Sequence, residues 1–131
     1  MTSSIILAED HVLVRQGLRR IIQENPDLKV THEAGDGLEV LELLKNTAPD
    51  VVILDISMPR LGGLEAARII KKRYPLIKIM ILTMHRERTF FQKAMEMGVH
   101  GYVLKDEADN DLNSAIIAVL KGETYFSPLI V

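Results

Sequence analysis

The sequence predicts a single doubly wound α/β domain, in which helices cover both faces of a five-stranded parallel sheet. Short apolar runs of strand length alternate with segments whose apolar residues recur at helical spacing, and this unit occurs five times in 131 residues. Strands that are apolar on both faces are typical of parallel sheets covered by helices on each side. Right-handed crossovers between such strands then give the doubly wound arrangement.

The five strand–helix units follow one another along the chain. The predicted strands are residues 5–9, 28–34, 51–55, 78–83 and 101–105. The predicted helices are the segment VLVRQGLRRIIQ, residues 38–47, 64–74 and 86–97, and the segment DLNSAIIAVLKG. Pro49 and Pro75 follow the second and third helices and lack the backbone donor that a continuing helix needs. Gly98 closes the fourth helix as a C-cap.

This pattern divides the chain into a domain at residues 1–122 and a terminal segment at residues 123–131. The terminal stretch ETYFSPLIV falls outside the alternation of strands and helices. We therefore expect it to be either the start of a linker or a tail that packs back on the domain.

The composition excludes several classes of protein. Hydrophobic residues make up 47% and charged residues 26%, the balance of a soluble globular protein. The net charge of −2 gives no general attraction to nucleic acid or to an anionic membrane. The absence of cysteine excludes disulfides, thiolate metal sites and cysteine nucleophiles. No signal peptide or membrane span is recognisable, so we expect a cytoplasmic protein with no membrane partner.

Polar residues at the carboxyl ends of the predicted strands indicate where a ligand would bind. In an open parallel sheet, ligands bind beyond these ends, where the winding reverses. The residues found there are Glu9 and Asp10, Asp55, Thr83 and Lys105. Three carboxylates, one hydroxyl and one ammonium group are therefore expected at one edge of the sheet.

This set of groups suits phosphoryl transfer. Crowded carboxylates repel one another, and a divalent cation would relieve that repulsion. Oxygen ligands favour a hard ion, and a site that keeps several waters favours Mg²⁺ over Ca²⁺. The metal and Lys105 would neutralise the oxygens of an arriving phosphoryl group, and Thr83 would donate a hydrogen bond to it. An Asp carboxylate would act as the nucleophile and form an aspartyl-phosphate.

Each of these residues also has a simpler explanation when it is taken alone. Asp10 could only cap the first helix, and Asp55 could only form the turn after its strand. Thr83 could be structural, and Lys105 could be a solvated surface residue. Glu9 could act only through a water molecule. Their common position at strand ends of one sheet favours a shared site.

The sequence resembles the receiver domain of two-component response regulators over nearly its whole length. The matching segments are LAEDH, VVILDISMPRLGG, ILTMH and GYVLK. The resemblance implies a flavodoxin-like sheet in the order 2-1-3-4-5, and it makes Asp55 the acceptor of a phosphoryl group from a sensor histidine kinase. It also implies that Asp10 binds Mg²⁺ with Glu9 assisting, and that the backbone carbonyl of Ser57 completes the protein ligands.

The resemblance further assigns the residues that respond to the phosphoryl group. Thr83 would bind the group on activation, and Lys105 would pair with it. Tyr102 stands at the aromatic switch position, where it would turn inward when Thr83 moves. Alternatively, Tyr102 is a half-buried strand aromatic that packs and never switches.

Two residues depart from the pattern of the family. Asp106 replaces the proline that often follows the lysine in a cis peptide, so another loop geometry must place Lys105. Met84 replaces a small residue after Thr83, and its bulk would restrict access to the phosphoryl group and slow hydrolysis. The neighbouring His85 is assigned no role.

The segments EDHVLVRQGLRRII, GYVLKDEA and AIIAVLKGETYFSP resemble the NarL/FixJ group, whose members carry a C-terminal LuxR-type helix-turn-helix domain. The chain ends where the linker of such proteins would begin. We therefore expect a fragment of a longer protein or a single-domain relative, with DNA bound only through an output domain that this chain lacks. A homodimer would form through the first and last helices or through the face of the fourth helix.

Three other functions are compatible with a doubly wound α/β domain. A Mg²⁺-dependent phosphatase with an Asp nucleophile needs a second acid two positions later, and Ser57 stands there, so we expect a domain that gains and loses its own phosphoryl group without turnover of an external substrate. A nucleotide or flavin binder needs a glycine-rich loop, which EDHVLVRQG lacks. A degenerate receiver that only mediates protein contacts remains an alternative, although the intact polar set favours phosphorylation.

Overall fold

The structure is a computed structural model that describes residues 2–128, and its centre is one parallel sheet. The six strands are β1 (Ser3–Ala8), β2 (Leu28–Ala34), β3 (Val51–Leu54), β4 (Lys78–Thr83), β5 (Gly101–Leu104) and β6 (Tyr125–Phe126). They lie in the order β2-β1-β3-β4-β5-β6, and all neighbouring strands are parallel.

Helices connect successive strands and cover both faces of the sheet. They are α1 (Val12–Gln23), α2 (Gly37–Leu44), α3 (Gly63–Arg73), α4 (Arg88–Glu96) and α5 (Ala108–Leu120). One apolar cluster joins the sheet to α2, α3 and α4, and the other joins it to α1 and α5. The domain is therefore doubly wound, as the sequence predicts. None of the helices in the described part of the chain has both the length and the apolar character to cross a bilayer.

The central strands have no polar face because both of their faces are covered. All four residues of β3 are fully buried, two in each apolar cluster. Full burial of one such aliphatic side chain stabilises a fold by roughly 1.5–3 kcal/mol. The sheet edge at the carboxyl ends of the strands is thus held on a rigid core, and polar side chains project from that edge.

The prediction of five strands is incomplete, because β6 extends the sheet beyond β5. The N–H of Tyr125 donates to the carbonyl of His100 at 3.0 Å, and the N–H of Ser127 donates to the carbonyl of Tyr102 at 2.8 Å. The order 2-1-3-4-5 holds for the first five strands. A strand of two residues is too short to show periodicity, so sequence patterns give no signal for it. Residues 129–131 of the predicted tail lie outside the described residues.

Two boundaries bear on the site. The predicted fifth strand includes Lys105, but β5 ends at Leu104, and residues Lys105–Glu107 form one turn of 3-10 helix. The predicted fourth helix begins at residue 86, whereas α4 begins at Arg88. The loop after β4 is therefore longer than the sequence pattern indicates. Gly98 follows α4 with a φ of 78°, which agrees with its predicted role as a C-cap.

Candidate functional site

Lys105 joins two buried carboxylates at the carboxyl edge of the sheet. Its Nζ lies 3.0 Å from Oδ2 of Asp55 and also contacts Oε1 of Glu9. Asp55 is 5% exposed and Glu9 is 1% exposed. One ammonium group therefore bridges acids that follow β1 and β3, and the predicted convergence of these three residues is observed.

Backbone pairing places the two acids side by side. Ala8 and Leu54 are partners in the register of β1 and β3, so the residues that follow them leave the sheet together. The N–H of Asp55 donates to the carbonyl of Ala8 at 3.1 Å, which continues this pairing. The N–H of Ser57 donates to Oδ1 of Asp55 at 3.3 Å, so the loop after β3 folds back over the carboxylate.

Asp10 adds a third carboxylate that is not used as a helix cap. His11 occupies the N-cap position of α1, and no side-chain cap bond forms there, so the alternative role of Asp10 as a cap is wrong. The Oδ1 atom of Asp10 is shielded from solvent, yet it accepts no hydrogen bond from residues 2–128. The His11 imidazole Nδ1 lies 3.3 Å from it. This carboxylate is available to a ligand.

The donor set fits a hard divalent cation. Ligand atoms of Glu9, Asp10 and His11 lie within 4.8 Å of one another. Two of these three residues offer carboxylate oxygens, which are the donors that Mg²⁺ prefers. Asp55 is not part of this group, and it is connected to Glu9 through the ammonium group of Lys105. The shielded Oδ1 of Asp10 is suited to bind such a cation.

Burial is the largest influence on the pKa of each group in the Lys105 bridge, and it disfavours all three charged forms. At Asp55 burial prevails over Lys105, and the charge of Glu9 adds to it, so the pKa of Asp55 lies above its usual value. At Glu9, Lys105 and the backbone N–H of His11 outweigh burial, so the pKa of Glu9 lies below its usual value. The two carboxylates raise the pKa of Lys105, which keeps it protonated.

Thr83 ends β4 as a buried residue and is tied to its own loop. Its Oγ1 accepts a hydrogen bond from the N–H of His85 at 3.1 Å. In the part of the chain that the structure describes, no hydrogen bond joins Thr83 to Asp55. The structure thus places Thr83 at the predicted sheet edge, but it does not bring the hydroxyl into the lysine–carboxylate cluster.

Tyr102 is fully buried, and not half-buried as the alternative description of this residue had it. Its hydroxyl donates to the backbone carbonyl of His85 at 3.1 Å. Its ring packs edge to face against Phe91, with 5.3 Å between ring centroids. Burial, with the charge of Glu87, raises the pKa of Tyr102 to about 12. The ring therefore occupies an inward position as a neutral phenol.

His85 is a residue that the sequence analysis left without a role. Its Nε2 lies 3.1 Å from the Oγ of Ser57, and its ring stacks on Phe90 with 4.2 Å between centroids. Its backbone binds Thr83 on one side and Tyr102 on the other. Nothing in the sequence signals these contacts, because they depend on how the loops after β3 and β4 approach each other.

The two departures from the family pattern lie at the rim of the site. Asp106 forms an ion pair with Arg86, and this contact joins the turn after β5 to the loop after β4. The Lys105–Asp106 peptide is trans. A trans peptide within one turn of 3-10 helix therefore stands where the family often has a cis proline. Met84 is 64% exposed and lines the same cleft as Lys105.

Fold and site together define a doubly wound α/β domain with a lysine-bridged acidic pocket, and residues 5–117 match the response regulator receiver domain family. The chain belongs to this family and is the receiver domain of a two-component response regulator of the LuxR/NarL group.

Relatives and solved structures agree with this assignment. The chain is 41% identical over 122 residues to the transcriptional regulatory protein YxjL of Bacillus subtilis (strain 168), covering 93% of this chain and 56% of that protein. It is 40% identical over 124 residues to the response regulator UvrY of Escherichia coli (strain K12), covering 95% and 57%. A LuxR-family two-component response regulator from Aurantimonas sp. SI85-9A1 superposes with a TM-score of 0.95 at 41% identity, covering 99% and 93%. The chain spans about half the length of the two curated relatives.

Proposed function

We propose that Asp55 accepts a phosphoryl group from the phosphohistidine of a sensor histidine kinase in a Mg²⁺-dependent reaction. The observation that carries this proposal is the bridge from Lys105 to Asp55 and Glu9. It holds a nucleophilic carboxylate at the sheet edge beside a protonated cation. Membership of the receiver family supplies the reaction class.

The transfer step balances without an external oxidant or reductant. A carboxylate oxygen of Asp55 bonds to phosphorus while the P–N bond of the phosphohistidine breaks. The electron pair of that bond stays on the imidazole, which takes up a proton as it leaves. Lys105 then faces phosphoryl oxygens in place of the Asp55 carboxylate, which keeps the new charge neutralised.

Glu9, Asp10, Asp55 and the backbone carbonyl of Ser57 would hold Mg²⁺. The shielded, hydrogen-bond-free Oδ1 of Asp10 supports this assignment. The ion, when bound, would neutralise charge on the phosphoryl oxygens. Asp10 and Glu9 would orient it beside the nucleophile, and Glu9 would divide its charge between the ion and Lys105.

Thr83 and Tyr102 would respond to the phosphoryl group. For Thr83 to bind a phosphoryl oxygen, the loop after β4 has to move toward Asp55, and His85 moves with it. The hydroxyl of Tyr102 donates a hydrogen bond to the carbonyl of His85, so this movement would also displace the buried ring of Tyr102. A change in charge at Asp55 would thereby alter the conformation of β5 and α4.

The output of the full-length protein would be regulation of transcription. The relatives are named as transcriptional and response regulators, and this chain covers about half of them. We assign residues 1–122 to the receiver and residues 123–131 to a tail or linker that leads to a DNA-binding domain. Homodimers would form through α1 and α5 or through the α4 face. Measurement of mass in solution with and without acetyl phosphate tests this, and an unchanged mass would exclude dimerisation as the output.

Incubation with acetyl phosphate and Mg²⁺, followed by mass analysis, tests the main proposal. Wild type should gain the mass of one phosphoryl group, and peptide mapping should place it on Asp55. Asp55→Asn should remain unmodified, and chelation of the metal should abolish the gain in wild type. A folded wild type that gains no phosphoryl group would instead be a degenerate receiver that acts only through protein contacts.

A further inference from the structure

The short strand β6 brings an aromatic side chain of the C-terminal segment close to Tyr102. Tyr102 and Phe126 are partners in the register of β5 and β6, so both side chains lie on one face of the sheet. Phe126 packs edge to face against Phe91 at 5.5 Å between ring centroids, and Phe91 packs in the same manner against Tyr102 at 5.3 Å. Three aromatic rings from β6, α4 and β5 thus form one contiguous group.

The backbone of the same segment is also attached to Tyr102. The N–H of Ser127 donates to the carbonyl of Tyr102 at 2.8 Å. The segment therefore contacts this residue through its main chain and, by way of Phe91, through its side chain. Tyr125 lies on the opposite face of the sheet and packs against the cluster formed with α1 and α5.

The other end of Tyr102 is connected to the candidate phosphoacceptor site. Its hydroxyl donates to the carbonyl of His85, and the N–H of His85 donates to Thr83. The side chain of His85 meets Ser57, whose N–H contacts Asp55. A continuous series of hydrogen bonds and ring contacts thus runs from the site to β6.

We propose that β6 docks beside Tyr102, with Phe126 packed on the Phe91 ring that the inward-facing Tyr102 supports, so that the inward position of Tyr102 and the docking of residues 125–127 stabilise each other. If the ring turned outward, Phe91 would lose its edge-to-face partner, and Phe126 would lose the surface that Phe91 presents. Such coupling is reciprocal by thermodynamic linkage. The interaction surface is the α4–β5 edge of this domain, and its partner is the C-terminal segment of the same chain. The signalling meaning of this contact rests on the function proposed above, whereas the docking is a property of the unphosphorylated chain.

The first test uses the whole chain without phosphoryl donor. Tyrosine carrying a ring fluorine is incorporated, and the ¹⁹F resonance of Tyr102 is compared between wild type and Phe126→Ala. Removal of the Phe126 ring should shift or broaden this resonance. The amide of Ser127 should exchange with solvent roughly two- to tenfold faster, since an edge-to-face pair is lost. Tyr125→Ala removes a ring of the same strand from the other face, and it should leave the Tyr102 resonance in place.

Two outcomes would overturn the docking. One is a Tyr102 resonance that is the same in Phe126→Ala as in wild type, and the other is an equal effect of Tyr125→Ala. Phe126→Leu serves where the alanine variant fails to fold, because it keeps apolar volume but removes the ring. Tyr102→Phe tests the same coupling at Tyr102. This variant keeps the ring but loses the hydrogen bond to His85, and it should accelerate hydrogen exchange at the amide of Ser127.

The second test adds acetyl phosphate and Mg²⁺. Phosphorylated wild type should exchange the Ser127 amide more slowly than the unmodified chain, because movement of Thr83 holds Tyr102 inward. If Asp55 is modified and this exchange rate is unchanged, the link between the site and β6 is wrong. If Asp55 is not modified, the proposed phosphorylation fails, and the first test alone decides the docking of β6.

Discussion

The Nζ of Lys105 lies 3.0 Å from Oδ2 of Asp55, so the proposed nucleophile is paired with a cation before any phosphoryl group arrives. The same Nζ contacts Glu9, which keeps its negative charge when Asp55 is converted to an acyl phosphate. Phosphorylation would therefore exchange one partner of the ammonium group and leave the other in place. A cation held in this way needs no large movement to reach the product.

Replacement of Lys105 should impair both stability and phosphorylation. Lys105→Gln leaves Glu9 and Asp55 buried without their shared cation, and removal of one partner from a buried pair costs about 3 kcal/mol. The rate of phosphorylation by acetyl phosphate should fall roughly a hundredfold, as it does when a charge-stabilising donor is lost. Urea unfolding and mass analysis measure the two effects. Asp55→Asn is the control. Burial disfavours the charged form of the Asp55 carboxylate, so its replacement by a neutral amide should cause no loss of stability. The same variant should not be phosphorylated.

Asp36 should stabilise the loop that follows β3. It accepts the N–H of Glu39 at 2.9 Å as the cap of α2, and it accepts Nε of Arg60 at 2.7 Å. Arg60 has a φ of 62°, an uncommon conformation for a residue with a side chain, and its side chain forms this ion pair. Asp36→Ala should lower the unfolding free energy by about 1–2 kcal/mol through loss of the cap. The exposed Asp27→Ala should leave it unchanged, and equal effects in urea unfolding would contradict the assignment.

His100 should make stability depend on pH. Its Nδ1 accepts the N–H of Ile79 at 3.1 Å, and burial, together with Lys71 and Lys78, holds the pKa of His100 below its usual value of 6.5. As the pH falls below 6.5, the unfolded chain binds the proton first. Stability should therefore fall from pH 6.5 down to the lower pKa of the folded state, and it should rise again when the pH is raised.

Comparison of His100→Asn with wild type isolates this contribution. The amide oxygen of asparagine can accept the same N–H without titrating, so the part of the slope of unfolding free energy against pH that His100 causes should disappear. Leu76→Ala, a substitution at an exposed site without a titratable group, is the control and should keep the wild-type slope. If the slope of unfolding free energy against pH were the same in His100→Asn as in wild type, His100 would not be the cause of this pH dependence.

Glycine is required at position 63 by the backbone of the loop that follows β3 and not by the helix. A Cβ at Gly63 would lie 2.1 Å from the backbone carbonyl oxygen of Asp55. Gly63→Ala should therefore destabilise the domain by about 1–3 kcal/mol and slow phosphorylation. A Cβ at Gly17, inside α1, would meet no atom within 4 Å, so Gly17→Ala should stabilise it by roughly 0.5–1 kcal/mol. Thermal unfolding of the two variants should show shifts of opposite sign.

Met84 should slow the loss of the phosphoryl group. Its side chain is exposed in the cleft beside Lys105, where water would approach phosphorus. Met84→Ala should increase the rate of dephosphorylation severalfold, as measured by the decay of phosphorylated protein after the donor is removed. Leu76 is 92% exposed and precedes β4, at the opposite edge of the sheet. Leu76→Ala should leave the decay rate unchanged, and a Met84→Ala rate equal to that of wild type would disprove the shielding.

Much of this molecule could be predicted from sequence because buried strands carry a strong signal. The run from Val51 to Leu54 has no polar residue, and both of its faces are covered. Glu9, Asp55 and Lys105 follow three such strands, so their convergence at one sheet edge is a consequence of topology alone. The structure brings these three side chains into contact.

The features that sequence patterns missed depend on contacts between loops. Asp10 looks like a helix cap because it precedes α1, but His11 takes the cap position, and the Oδ1 of Asp10 accepts no hydrogen bond within residues 2–128. His85 meets Ser57 only because two loops approach across the site. Phe126 packs against Phe91 because a strand of only two residues places it there. Periodicity indicates which face of a helix or strand is apolar, and it does not predict contacts between loops.

Strand β6 also has a consequence for the solubility of shortened forms of the domain. It occupies the carbonyl groups of His100 and Tyr102 at the outer edge of β5. A chain cut after residue 122 would leave this edge bare, with backbone acceptors directed toward neighbouring molecules. Exposed strand edges of this kind recruit strands from other chains. Self-association of the cut form would then come from unsatisfied backbone groups, independently of any phosphoryl group.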